Sequence, residues 1–498
     1  MVNKTLHILT ISLFLGFISF LFFASSRAGL NFDSSYNLLS YQSLFNGTGF
    51  VYEYDGKKIP FDPVISTGPE LYLPAFFIWK LTGQTSYQAA VLVAVAYFIT
   101  FMSFFLFGIL KDGSQRFIAL FTFLFWFFSN GKLFGISSNL FVDPLGEAAA
   151  ACLVFAGFYL LSTKNIFLGF LLLGLALDTK PNIIIALIPT VAIFVLQNMF
   201  LPEWKRKKYA AFFQVGIKVI PLSLLILLPY LMYSKIVPQL VLNNHDKKVW
   251  QEASIERNAF MRNLGFGHAI DLLKNPTMNG IYLFLEKLQH KLERLQSYFG
   301  NSYFLVALFG FLLVSLLIFS RGHFSFYIFI FSAFSILWWL FMPRTTWYRY
   351  FFISEFITIL GMGTVLSSFI AKRRIAVLIL LLTVLAAFSL PRFSIDWLKQ
   401  SLNGEEKENL TLMKGKIEQI DEKKIFTFGF LQCPQLMFLT NKRFQDFFNK
   451  NKLEAARKDE AYFLSTYDNI LVKKEMNSLT KDFDLVASYG YNRLYRIK

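Results

Sequence analysis

Long apolar runs separated by short polar breaks dominate the chain up to about Pro391. The first covers roughly Leu6 to Ala24. Others follow at about Tyr87–Leu110, Arg116–Ser129, Leu145–Leu161, Ile166–Leu177, Asn182–Met199 and Ala210–Met232, then Tyr303–Phe319, Phe324–Met342, Phe351–Ile370 and Ile375–Leu390. A spanning helix needs about 20 mostly apolar residues. The pattern therefore predicts a polytopic α-helical membrane protein with about eleven transmembrane helices. The Leu6–Ala24 run is long for a signal-peptide core and lacks a convincing cleavage site. It reads as the first span, with Lys4 in the cytoplasm.

Two long polar stretches interrupt the apolar pattern, residues 31–71 and 233–302. The first is rich in turn formers, notably Asn46-Gly47-Thr48-Gly49 and Tyr54-Asp55-Gly56. After it, Pro69–Leu81 is short and amphipathic, as expected of a helix lying along the membrane surface. The second stretch predicts a helix over Ile281–Phe299, with Leu283, Leu285, Leu288, Leu292 and Leu295 near helical spacing. Beyond residue 391 the patterning becomes that of a soluble domain. Strands are expected at Ile425–Phe430, Ala461–Thr466 and Asp484–Ile497, and a helix at Pro434–Asn449. The expected organisation is a transmembrane domain over residues 1–391 and a small C-terminal α/β domain over residues 392–498.

Composition agrees with this pattern. Of the 498 residues, 55% are hydrophobic and only 16% charged, against about 25% charged in soluble domains. Disordered and ordinary cytosolic classes are excluded. The net charge of +17 would suit nucleic acid in a soluble chain, but here the cations cluster between apolar runs. No nucleic-acid partner is expected. Lys111 and Arg116, Lys164, Lys205-Arg206-Lys207-Lys208, Arg321 and Lys372-Arg373-Arg374 fall in alternate loops. By the positive-inside rule those loops face the cytoplasm, which places both long loops and the tail outside. Cys152 and Cys433 show no metal-ligand spacing, nor do His245 and His268. Neither a metal nor a cofactor is expected.

The outward loops collect the candidate chemistry. Asp33 follows the first span directly. The first loop then offers Asp62, Gly68 and Glu70, within Phe61-Asp62-Pro63 and Gly68-Pro69-Glu70. Asp143-Pro144-Leu145-Gly146-Glu147 opens a later helix, with Asp143 placed to cap it and Glu147 in its first turn. Lys180, Arg344 and Arg349-Tyr350 are cations that resist the charge bias. Charge at such depth is costly and is usually paired or functional. Snorkelling, or ion pairs to Asp178 or Glu355, would explain Lys180 and Arg349 equally well. A carboxylate can serve as general base, and Lys or Arg can hold a phosphate.

These pieces, in this order, resemble the GT-C superfamily of integral membrane glycosyltransferases, especially the branch of protein mannosyltransferases and lipid A aminoarabinose transferases. The resemblance covers roughly the first 390 residues. It rests on Phe32-Asp33 with Tyr36, Ser66-Thr67-Gly68-Pro69, Leu73-Pro74, Leu81-Thr82-Gly83, Pro144-Leu145-Gly146-Glu147, Asp178-Thr179-Lys180 and Arg349-Tyr350. It implies transfer of a sugar from a polyprenyl-phosphate carrier to a lipid, glycan or protein acceptor, with Asp33 as general base. It further implies Lys180, Arg344, Arg349 and Tyr350 around the donor phosphate, and Asp143 and Glu147 orienting the sugar or the base. Localisation in a bacterial inner membrane, with the site on the extracytoplasmic face, would follow. Two departures stand out. Asp33 is followed by Ser34, not by a second acid, which argues against protein O-mannosylation. Gly68-Pro69-Glu70 replaces the Lys-Pro-Pro of the aminoarabinose transferases. The competing classes are a transporter or flippase and an O-antigen ligase or polymerase. Transporters often carry internal repeats and helices broken near the midplane. No convincing repeat is visible here, and the polar residues concentrate in the outer loops.

Overall fold

The computed structural model describes residues 2–27, 29–60, 68–129, 141, 144–205, 209–232, 267–298, 309–310, 313, 324–343, 348–370, 404–427, 433–446, 454, 456–465 and 480–498. The expected helix Ile375–Leu390, and all but Phe309, Gly310 and Leu313 of the one at Tyr303–Phe319, lie outside these residues.

The apolar runs that are described form helices. The first half of the chain gives α1 (Val2–Arg27), α2 (Phe32–Phe45), the strands β1 (Val51–Tyr54) and β2 (Lys57–Pro60), α3 (Pro69–Thr82), α4 (Tyr87–Ser103) and α5 (Gly113–Ser129). Next come α6 (Glu147–Ser162), α7 (Ile166–Thr179), α8 (Ile184–Val195), α9 (Leu201–Lys205) and α10 (Tyr209–Leu231). After these lie α11 (Gly267–Lys274), α12 (Met278–Tyr298), α13 (Phe324–Phe341) and α14 (Tyr348–Ile370). Among the described residues five helices are long and apolar enough to cross a membrane: Asn3–Arg27, Tyr87–Ile109, Pro181–Lys205, Phe213–Leu231 and Phe324–Phe341. Their outer faces carry bare apolar side chains such as Phe213, Ile217, Ile220 and Leu224 on α10. Apolar surface of that extent belongs in lipid. The chain is a multi-pass membrane protein.

An aromatic cluster holds the bundle together. Phe17 of α1 meets Phe127 of α5 edge-on at 5.0 Å, and Phe98 of α4 meets Phe141 at 4.8 Å. Phe141 reaches Phe356 of α14 at 5.3 Å. Edge-to-face rings at such spacing gain electrostatically as well as by burial.

Residues 31–60 of the first polar stretch are more ordered than their composition suggests. Their turns fall where expected, at Asn46–Thr48 and at Asp55-Gly56 between β1 and β2. The residues before them form a helix instead of a loop. Asn31 caps α2, its side chain accepting from the backbone N–H of Asp33 at 2.8 Å and of Ser34 at 3.4 Å. The helix then buries Ser34, Ser35, Ser40 and Ser43 beside Leu38, Leu39 and Tyr41. Small hydroxyls allow close packing, so this helix is buried without being apolar. The Pro69–Leu81 segment is helical as expected.

α12 departs from the expected stripe. Only Leu295 of the five leucines is buried; Leu283, Leu285 and Leu292 are exposed. Lys291 takes the buried position and donates from Nζ to the carbonyls of Trp339, at 2.7 Å, and Pro343. Phe284 stacks on Phe341 and Tyr298 packs against Trp339. Residues spread over about 21 Å of α12 thus meet the last turn of one spanning helix. α12 therefore crosses the end of α13, leaving Ile281, Leu285 and Leu292 exposed along one side. A lysine capping the last carbonyls of a helix also suits the helix dipole.

The tail contributes α15 (Glu405–Glu418), β3 (Ile425–Thr427), α16 (Pro434–Thr440), β4 (Gln445–Asp446), β5 (Tyr462–Ser465), β6 (Asp484–Tyr489) and β7 (Asn492–Arg496). They build a five-stranded sheet in the order β4-β3-β5-β7-β6. β3 runs parallel to β4 and β5, and the β5–β7 and β6–β7 pairs are antiparallel. Two expectations need correction. The expected single strand Asp484–Ile497 is a hairpin, turned at Gly490 with φ +57°. The expected helix Pro434–Asn449 ends at Thr440 and gives way to β4, because Asn441 adopts a left-handed conformation with φ 54°.

Candidate functional site

Charged side chains from well-separated parts of the chain gather where several helices end. Asp33 lies in the first turn of α2 and pairs with Arg349 Nη1 in the first turn of α14. The Asn31 cap takes up the Asp33 backbone N–H, which leaves the Asp33 carboxylate for Arg349 and for water. The Asp33 side chain is 44% exposed and that of Arg349 20%. Glu147 opens α6 and Lys180 caps the end of α7; they pair at 3.1 Å, with Glu147 only 1% exposed. Arg349 also lies in the field of Glu147, which links the two pairs. A carboxylate at a helix N-terminus is favoured by the dipole, and both Asp33 and Glu147 occupy that position.

A further acidic contact sits beside them. Gly68 caps α3 against the end of α7, and its N–H donates to the Thr179 carbonyl at 3.3 Å. The approach is so close that a Cβ on Gly68 would lie 2.4 Å from the Asp178 carbonyl oxygen. This docking brings Glu70, in the first turn of α3, to Asp178. Neither carboxylate makes an ion pair among the described residues, and both oxygens of Glu70 are buried without a hydrogen-bond partner there. Burial first, and the Asp178 charge second, raise the Glu70 pKa far above the usual carboxylate range. Both effects hold the Glu70 carboxyl toward its neutral form.

The candidates named from sequence thus fall into three groups. Asp33, Arg349, Glu147 and Lys180 form the linked pairs, with Tyr350 next to Arg349, whose guanidinium carbon lies 5.4 Å from its ring centroid. Gly68 and Glu70 form the adjoining corner. Asp62, Asp143 and Arg344 lie outside the described residues, as does His245, and the side chain of His268 is not described. Of the alternatives left open, the structure selects neither Asp178 for Lys180 nor Glu355 for Arg349. Lys180 turns to Glu147, while Glu355 accepts from Trp126 Nε1 at 2.9 Å. The N-cap position of α6 is Gly146, in a left-handed conformation, and the helix starts at Glu147. The Glu70–Asp178 contact was not foreseen. It depends on α3 meeting the end of α7, which no local pattern encodes. Among the described residues no three His, Cys, Asp or Glu side chains are grouped to hold a metal ion.

The arrangement therefore defines a class. It is a membrane helix bundle with alternating carboxylates and cations at its helix termini, beside a partly exposed Asp. No family model matches the chain, and no curated protein matches it by sequence. Solved structures do match. The fold is similar to that of the aminoarabinose transferase ArnT from Cupriavidus metallidurans. In its apo state the TM-score is 0.56 with 11% identity, and bound to undecaprenyl phosphate it is 0.54 with 12% identity; each alignment covers 98% of both chains. An oligosaccharyltransferase from Archaeoglobus fulgidus, tethered with an acceptor peptide, aligns over 92% of this chain and 69% of its own, at TM-score 0.46 and 14% identity. The chain shares the ArnT fold over its whole length.

Proposed function

We propose that this protein is a membrane glycosyltransferase that moves a sugar from a polyprenyl-phosphate carrier to a lipid, glycan or protein acceptor on the extracytoplasmic face. The observation that carries the reading is the meeting of Asp33–Arg349 and Glu147–Lys180 at one place in a chain with the ArnT fold, since one ArnT structure holds undecaprenyl phosphate. Asp33 accepts the proton of the acceptor hydroxyl as the hydroxyl oxygen attacks the anomeric carbon. The bond from that carbon to the phosphate oxygen breaks, and the electron pair leaves with the polyprenyl phosphate. Arg349 has five N–H donors in a fixed fork, so it can hold a phosphate while still orienting Asp33. Lys180 adds a second positive charge against the developing negative charge, and Glu147 holds Lys180 in place. Asp143 and Arg344 belong to the same proposal as sugar-orienting and phosphate-binding groups, and Asp62 as first-loop support.

The test is sugar transfer by purified protein in nanodiscs, offered a panel of polyprenyl-phosphate sugars with a membrane lipid extract as acceptor. Wild type transfers one of them and Asp33→Asn does not. Equal transfer by both would remove Asp33 as the base. Absence of transfer with every donor, together with absence of donor binding, would sink the enzyme reading.

A further inference from the structure

The C-terminal α/β unit contacts the chain on both sides of Asp33, at the end of α1 and its linker and along the last turn of α2. Ahead of α2, Lys407 Nζ of α15 donates to the Ser26 carbonyl at 2.6 Å. Glu406 lies so close to Gly29 that a Cβ there would sit 2.9 Å from the Glu406 carboxyl carbon. Gly29 and Asp33 are a single helical turn apart in sequence. At the end of α2, Gln42 Nε2 donates to the Phe438 carbonyl at 3.0 Å and Asn46 Nδ2 to Asn441 Oδ1 at 3.0 Å. Arg443 ties these contacts together. It donates to Gln42 Oε1 at 3.4 Å and pairs with Glu53 of β1 at 3.5 Å, with 15% of its side chain exposed. The hairpin is held as well, by the Asp55 N–H to the Phe444 carbonyl at 3.0 Å and by Tyr54 to Thr427 at 2.8 Å. Within the gripped segment, Tyr36, one turn after Asp33, packs on Tyr52 of β1 with ring centroids 4.3 Å apart.

We infer that this unit is a brace that sets the position of Asp33, with Arg443 as a positioning residue. The inference rests on the proposed role of Asp33 as general base. A helix of 14 residues outside the spanning bundle has little rigidity of its own. Its carboxylate must nevertheless stay aligned with an acceptor held elsewhere. A misplacement of about 1 Å can cost about 100-fold in rate. Arg443 spans α2 and β1, so its loss removes a charged tie between them and loosens their hold on the C-terminal unit.

The test uses the 498-residue chain in nanodiscs and the variants Arg443→Met, Arg443→Lys and Glu53→Gln, with amide hydrogen exchange, polyprenyl-phosphate binding and turnover as readouts. Arg443→Met is expected to raise exchange over residues 32–45 while α4 and α6 stay protected. Turnover falls by about 10- to 100-fold with carrier affinity kept within about twofold, since only the base has moved. Arg443→Lys restores part of the turnover, and Glu53→Gln reproduces a weaker form of the same change. Unchanged exchange over residues 32–45 in Arg443→Met would overturn the brace. So would a parallel loss of turnover, carrier affinity and protection throughout the bundle. If the wild type transfers no sugar, the glycosyltransferase reading fails and the exchange measurement still decides whether the brace exists.

Discussion

On the proposed function Lys180 has two separable roles, and a double-mutant cycle with Glu147 tells them apart. Glu147 is almost wholly buried, and Lys180 is the cation paired with it at 3.1 Å. Lys180→Met strands the Glu147 carboxylate. Breaking a buried pair from one side costs about 3–5 kcal/mol, because an uncompensated charge remains. The nearby Arg349 recovers part of that cost, so the lower end is expected. Glu147→Gln alone is milder, since Lys180 is 14% exposed and its long stem lets the ammonium reach water. The double variant Lys180→Met/Glu147→Gln removes both charges and should regain most of the stability, because replacing both members of a buried pair is often neutral. Carrier binding should not recover. A charged hydrogen bond to phosphate contributes about 1.5–3 kcal/mol. Its loss weakens polyprenyl-phosphate binding by about 10- to 100-fold in both the single and the double variant. Unfolding midpoints in nanodiscs give the first quantity and titration with polyprenyl phosphate the second. Additive destabilisation in the double variant would refute the coupling. Wild-type affinity in the double variant would refute the phosphate role.

Asp33→Asn should keep the fold, since the Asn31 cap bonds only to backbone at position 33, and should lower transfer by about 100- to 10,000-fold in a turnover assay. Glu70 has a folded-state pKa raised from 4.5 to about 9, so its contribution to stability is full below pH 4.5 and is lost as the pH climbs through about 9. Glu70→Gln should flatten that fall in a series of unfolding midpoints across this range; an unchanged slope would assign it to another group. Gly68→Ala should destabilise by about 1–3 kcal/mol in denaturant titration, because its Cβ meets the Asp178 backbone and α3 must move off α7. Lys291→Met should cost about 1–3 kcal/mol in the same titration for each carbonyl left without a donor, and should increase hydrogen exchange in α12.

Hydropathy by itself determined the membrane class and placed the described apolar helices, because a lipid-facing segment must be apolar over its whole length. Turn chemistry placed the reversals at Asn46–Thr48 and Asp55-Gly56, since those conformations admit few residue types. The acids and cations of the proposed site also stood out, because charge near a membrane is rare. Their partners were not visible. Lys180 lies next but one to Asp178 in sequence, yet it pairs with Glu147, because α6 and α7 are antiparallel neighbours and a side chain at the end of one faces the start of the other. α2 escaped hydropathy because its buried face is built of serines, and Lys291 escaped because its place in a buried row is set by the open carbonyls at the end of α13. The contact of the C-terminal unit with α2 joins residues nearly 400 positions apart, such as Gln42 and Phe438. Contacts at that separation depend on how whole elements pack, and local spacing carries no trace of them. Sequence thus displayed the charged residue types, and only the packing of helix ends decided which of them meet.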